Sequence, residues 1–176
     1  MDRITMRQRE DLGFFASNDS ILLGSFRKLQ VWYSIEEEDL ISIEVIDSSI
    51  SHKRIPSRKK RVLEIQLSKS EDFTNSWHIN MARLDYRYAG QGIAARAYSY
   101  IIKKLDIMLQ AGDSQSKGGR KIWFDLARDK RLTVSGQTKH GKPTIVSVDK
   151  EAREVRLQGK TLYDGARRMY VFAYNA

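Results

Sequence analysis

A chain of 176 residues with 41% hydrophobic and 30% charged residues is sized and composed like one ordinary globular domain, which excludes whole-chain disorder. No apolar run approaches the ~18 residues of a membrane span, Met1-Asp2-Arg3-Ile4-Thr5 has no apolar signal core, and the lack of cysteine excludes disulfides, a thiolate nucleophile and Cys-based zinc. Lysine and arginine number 31 against 22 acidic residues, and the resulting +9 favours polyanions (nucleic acid, a phosphorylated cofactor, an acidic surface) with plain solubility as the competing reading.

Residues 1–28 are mixed and polar and read as a helical or irregular lead-in with room for one or two short helices, in which Phe14-Phe15 and Ile21-Leu22-Leu23 are expected to touch the core and Asn18-Asp19 to turn. Gln30–Ile35 is β-rich, Glu36–Asp39 is an acidic turn, and Ile41–Val45 alternates with period two, which predicts a hairpin. Lys53, Arg54, Arg58, Lys59, Lys60 and Arg61 surround Pro56, so an exposed loop is expected there. Arg58, Lys59, Lys60 and Arg61 are candidates for contact with nucleic acid or another anionic acceptor, weighed against a merely solvated loop. Val62–Leu67 and Trp77–Leu84 read as strands around a polar turn at 68–76.

At Gly90 the period changes. Ile93, Ala94, Ala97, Tyr98, Ile101, Ile102 and Leu105 recur at steps of three and four, which predicts a helix with one buried stripe. Ile107-Met108-Leu109 is a short strand or an extension of that helix, Asp113–Gly119 a turn, and Lys121–Ala127 a second helix packing Ile122, Trp123 and Leu126. Strands are expected at 132–134, 144–148, 154–157 and 170–174. The whole is one α/β (α+β) domain: lead-in 1–28, core 29–135, C-terminal strands 136–176.

The segment Arg87-Tyr88-Ala89-Gly90-Gln91-Gly92-Ile93-Ala94, between strand and helix, carries the strongest chemical signal. A helix start offers backbone N–H groups without internal partners and a partial positive charge, and glycines lacking Cβ let an anion come close. No Gly-Lys-Ser/Thr follows, so the pattern is not a Walker A loop, nor is it a dinucleotide Gly-x-Gly-x-x-Gly. The three histidines, His52, His78 and His140, have no ligand spacing, and no metal site is expected.

Arg87-x-x-Gly90-x-Gly92 resembles the Arg/Gln-x-x-Gly-x-Gly/Ala motif of the GNAT N-acetyltransferase superfamily, and Gln115-Ser116-Lys117-Gly118-Gly119-Arg120-Lys121-Ile122-Trp123 looks like divergent GNAT-like proteins of tailed phages. The resemblance implies a mixed, mostly antiparallel central sheet with flanking helices. It also implies that Leu84, Arg87, Gly90, Gln91, Gly92, Ile93 and Ala94 hold the pyrophosphate of acetyl-CoA or another acyl-CoA. The implied reaction is acyl transfer to an amine, in the cytoplasm, or a host's cytoplasm for a phage protein.

Two family features are altered. Trp123 stands where many members carry a tyrosine acid, leaving Ser114, Ser116, Tyr98 and Tyr100 as substitutes. The strand Trp77–Leu84 lacks the usual glutamate base, so Glu64, with a pKa raised on a central strand, and His78 become the candidates. The catalytic set is therefore Glu64, Ser116 and His78. A GNAT-like binding or virion-associated module without catalysis, and a basic nucleic-acid-binding domain, are the competing readings.

Overall fold

The computed structural model describes residues 20–49, 61–112, 115–138, 141–161 and 169–176. The described residues form a mixed α+β structure with a large, mostly antiparallel sheet and two α-helices. Contacts divide the chain into two compact units, 1–69 with 79–91 and 70–78 with 92–176. None of the helices among the described residues is long and apolar enough to cross a membrane.

The first unit holds strands β1 (Ile21–Phe26), β2 (Leu29–Glu37), β3 (Leu40–Asp47), β4 (Arg61–Lys69) and most of β5 (Ser76–Leu84). Antiparallel register aligns apolar side chains in rows, Val31–Val45–Leu63 and Tyr33–Ile43–Ile65. All of these but Tyr33 are buried, and each buried Val, Leu or Ile stabilises by roughly 1.5–3 kcal/mol. On the alternate positions, Trp32 and Ile46 form a second apolar cluster with Leu22, and the row Trp32–Glu44–Glu64 crosses three strands.

One expectation fails at the start. Ile21-Leu22-Leu23 belongs to a strand rather than a helical lead-in, paired with β2 through a tight turn where Arg27 takes φ 56°. A register shift at Gly24, φ 141°, breaks the period-two pattern that would have announced it. Phe14-Phe15 and Asn18-Asp19 lie outside the described residues.

The second unit holds the first residues of β5, helix α1 (Ile93–Leu105), β6 (Met108–Gln110), helix α2 (Lys117–Ala127), β7 (Leu132–Thr138), β8 (Thr144–Ile145), β9 (Ser147–Asp149), β10 (Glu154–Leu157), β11 (Lys160–Thr161) and β12 (Met169–Asn175). Ser76–His78 pairs in parallel with β6, whose other edge takes β12 antiparallel, and β12 in turn takes β7. A central position explains why Tyr170, Val171, Phe172 and Ala173 are all buried, one after another. Helix α1 buries the predicted stripe except Leu105 and ends where Asp106 turns left-handed, so 108–110 forms a strand.

Helix α2 starts four residues before the expected 121, because Ser116 caps it and the helix runs through Gly118-Gly119. Its buried residues are Trp123, Phe124 and Leu126, with Ile122 half-buried. The expected strand 144–148 is two strands: β8 pairs with β7, while β9 joins β10 and β11 in a separate small sheet. Val146, donating to Val134 O, is the joint between them.

Candidate functional site: the glycine turn and a carboxylate pair

Strand β5 ends at half-buried Leu84. The next residue, Asp85, donates its backbone N–H to Val62 O on β4 at 2.9 Å. Its carboxylate accepts from Arg87 N at 3.0 Å and so caps a single 3-10 turn, Tyr86–Tyr88. Tyr88 then donates its hydroxyl to Asp47 Oδ2 at the end of β3, 2.8 Å away. Burial first, then this hydrogen bond, pushes the Tyr88 phenol up to about 12. Burial pulls the Asp47 carboxyl upward, but the hydrogen bonds from Ser49 and Tyr88 and the Lys28 charge outweigh it and hold the group below its ordinary value. The turn is thus pinned to the ends of β3 and β4.

Arg87 Nε reaches both oxygens of Asp85, at 3.0 and 3.1 Å, Nη2 bonds Oδ2 as well, and the guanidinium lies 6.0 Å from the centre of the Tyr88 ring. These bonds hold the Asp85 carboxyl below its usual range. The positive charge that Arg87 brings to the motif is therefore shared with a carboxylate. Gln91 folds back, its Nε2 donating to Arg87 O at 3.1 Å.

Gly90 and Gly92 both take left-handed φ, 76° and 69°, a conformation that costs other residues roughly 1–2 kcal/mol. A Cβ added at either would meet nothing within 4 Å. Gly92 is the N-cap of α1 and supplies no side-chain cap, and the first turn of α1 has no acidic residue. Among the described residues, the backbone N–H groups of Gly92, Ile93, Ala94 and Ala95 donate to no carbonyl, whereas Arg96 N reaches Gly92 O at 3.2 Å. The segment 86–91 is exposed except for half-buried Tyr88.

Glu64 faces Glu44 directly across β3 and β4. A single atom, Arg61 Nη1, lies 2.9 Å from Glu44 and 3.1 Å from Glu64. Desolvation raises the Glu44 carboxyl above its ordinary value, the Arg61 charge opposes this, and the Glu64 charge adds to it. Glu44 and Asp47 are three strand residues apart, about 10 Å. Arg61, an expected acceptor contact, is occupied by these two glutamates; Arg58, Lys59 and Lys60 lie outside the described residues.

Glu64 belongs to the first unit, and His78 and Ser116 to the second. Half-buried His78 stands opposite Gln110 in the parallel β5–β6 ladder. Ser116 Oγ accepts from Gly119 N at 3.1 Å, which makes it the cap of α2. Trp123 is 1% exposed, a core residue. Tyr98 is also core, and burial pushes its phenol above its ordinary value. Half-buried Tyr100 has Lys104 Nζ 5.8 Å from its ring centre. Ser114 lies outside the described residues.

Three residues that sequence reasoning passed over shape this region: Asp85, Tyr88 and Glu44. The alternation of β3 and β4 is the signal that would have paired Glu44 with Glu64. Among the described residues, no group of three or more His, Asp or Glu side chains could hold a metal ion. Compared with models of protein families, with curated proteins and with solved structures, the chain matches none.

Proposed function

We propose that the chain is an acyl-CoA-dependent N-acyltransferase with a GNAT-like fold, in which the backbone of Gly90–Ala94 receives the pyrophosphate of acetyl-CoA or another acyl-CoA. One observation carries this reading. Two left-handed glycines, with open space where side chains would be, lead into a helix start whose amides lack carbonyl partners. Such amides and the helix dipole favour a dianion. The order of strands, helix, short parallel strand and second helix supports the fold assignment.

In this mechanism the amides orient the cofactor, and rate comes from positioning an amine against the thioester carbonyl. As the amine nitrogen would bond the acyl carbon, the C–S bond would break and CoA would leave as its thiolate, and the amine must lose a proton. Glu44, whose carboxyl is raised by desolvation, is the base in this proposal. The acceptor is an amine, on nucleic acid or an acidic protein.

Isothermal titration with CoA and acetyl-CoA, followed by thiol release across an amine panel, tests the proposal. Binding by the parent and weakened binding by a folded Gly90→Val variant are expected. Equal affinity in that variant removes the turn from the binding site, and no heat at millimolar ligand removes the cofactor altogether. A specific observation favours a second reading, a CoA-binding module without catalysis: the hydroxyl of Ser116 is committed to capping α2, and Trp123 and Tyr98 are core residues. Binding without thiol release from any amine would establish it.

A further inference from the structure

We infer that the solvent-facing side of α2 is a binding surface for the phosphate backbone of a nucleic acid. The inference is independent of acyl transfer and uses no residue of the glycine turn. Residues 1–91 contain 14 basic and 14 acidic residues, whereas 92–176 contain 17 and 8, so the whole excess of +9 lies in the second stretch. General solubility would not require that segregation.

Within that stretch the helix sorts its cations. At 100° per residue, Lys117, Lys121 and the C-cap Arg128 fall within about 40° of one another, on a line about 16 Å long. Trp123 and Leu126 point to the far side of the helix, and buried Phe124 borders the row, about 20° from Lys117 and 40° from Arg128. Lys117 and Arg128 are exposed and Lys121 half-buried. Among the described residues none of the three has a carboxylate partner, whereas Arg61, Lys69, Arg87, Lys103, Arg131 and Arg156 all do. The Arg128 guanidinium rests 5.4 Å from the centre of the Phe124 ring, which holds it at the helix end. Asp125, the one acid of α2, lies about 40° round from Lys121 and is half-buried, at the edge of the row.

Helix stability does not account for this arrangement. Lys117, Arg120 and Lys121 crowd the N-terminal end of α2, and its first turn has no acidic residue, although cations there oppose the helix dipole. A row of cations without carboxylate partners suits phosphates, and the row includes no exposed aromatic ring for stacking on bases. The surface should therefore read the backbone and not the sequence.

The test is fluorescence anisotropy of the full chain with a labelled single-stranded DNA oligonucleotide and with its duplex, over a range of salt. The expected result is binding that weakens linearly in log–log form with salt. The triple variant Lys117→Glu/Lys121→Glu/Arg128→Glu should bind about tenfold or more weakly, with a slope shallower by roughly two to three, one for each phosphate that is no longer neutralised. Reversal at Lys117 and Lys121 complements the dipole and offsets the unfavourable charge that Arg128→Glu places at the C-cap, so this variant should stay folded by circular dichroism, and the Lys→Gln/Arg→Gln counterpart checks that repulsion alone is not responsible. Lys28→Glu/Arg83→Glu, on the first unit, should bind like the parent. The preferred oligonucleotide distinguishes single strand from duplex. No binding by the parent, undiminished binding by the triple variants, or displacement of DNA by polyglutamate as effectively as by unlabelled DNA would each overturn the proposal, the last in favour of an acidic protein partner.

Discussion

Glu44 and Glu64 stand side by side on neighbouring strands and are bridged by one guanidinium atom, Arg61 Nη1, at 2.9 and 3.1 Å. Like charges opposed across an antiparallel pair destabilise it, so Arg61 is what allows both carboxylates to remain. Arg61→Leu should lower stability at neutral pH by about 1–3 kcal/mol, between the values for exposed and fully buried pairs. Part of that loss should return in mild acid, where one carboxyl takes up a proton. Denaturant melts at neutral and mildly acidic pH check both statements; a loss that is the same at each pH would mean that packing, not charge, is responsible.

The raised carboxyl of Glu44 has its own pH signature. A folded-state value above the ordinary 4.5 means that the folded chain binds the proton more tightly than the unfolded chain does. Its contribution to stability is therefore present in acid and falls away as pH climbs from 4.5 through the folded value. Glu44→Gln, which can still accept from Arg61, should be more stable than the parent at neutral pH, and the difference should shrink toward zero below the ordinary carboxylate range. Thermal melts across that span measure it; a variant less stable than the parent at neutral pH would contradict the sign.

Backbone conformation at Gly92 predicts a contrast between two substitutions. Gly92→Ala forces a Cβ into left-handed φ and should cost about 1 kcal/mol or somewhat more. Gly92→Asn should cost less, because asparagine visits that region more readily and can cap the helix. Both variants should lose CoA affinity if the open space serves the ligand. Equal melting temperatures for the two would show that strain at this position is relieved elsewhere.

Two roles are open to Ser116, helix cap and proton donor, and one substitution separates them. Ser116→Ala removes the acceptor for Gly119 N and should lower stability by about 1 kcal/mol, the usual value of an N-cap. If capping is its whole role, thiol release per folded molecule stays at the parent level. A large drop in turnover with unchanged stability would reinstate it as a proton donor.

Periodicity made α1 legible residue by residue, since a single face of six buried side chains writes itself into the sequence. The β2–β3 hairpin and β4 were equally open to reading, because burial of one face forces alternation. Strand β1 was not, since its register shift falls at Gly24. The early start of α2 was hidden because two glycines read as turn when the capping hydroxyl before them is overlooked. Around the glycine turn, the motif identified Gly90 and Gly92 but not what surrounds them. Asp85 and Asp47 act through Arg87 and Tyr88, and the second of these pairings joins residues 41 positions apart. Long-range register, which brings Glu44 to Glu64, is likewise a property of the sheet rather than of either strand alone.

The Asp85–Arg87 pair makes a prediction opposite in direction to most substitutions near a binding site. Asp85 holds the Arg87 guanidinium by several bonds, so a pyrophosphate on the following turn must compete with a carboxylate for that cation. Asp85→Asn preserves an oxygen to accept from Arg87 N and keep the 3-10 turn, but it removes the competing charge and a local negative field. CoA affinity should therefore rise, by about two- to fivefold, the measure of an exposed ion pair. Arg87→Ala should lower affinity only modestly, since the amides of α1 remain, and the double variant should behave like Arg87→Ala, because without the guanidinium there is little left for Asp85 to withhold. Titration calorimetry on the four proteins completes the cycle. Affinity that falls in Asp85→Asn would mean that the carboxylate positions Arg87 for the ligand instead of restraining it.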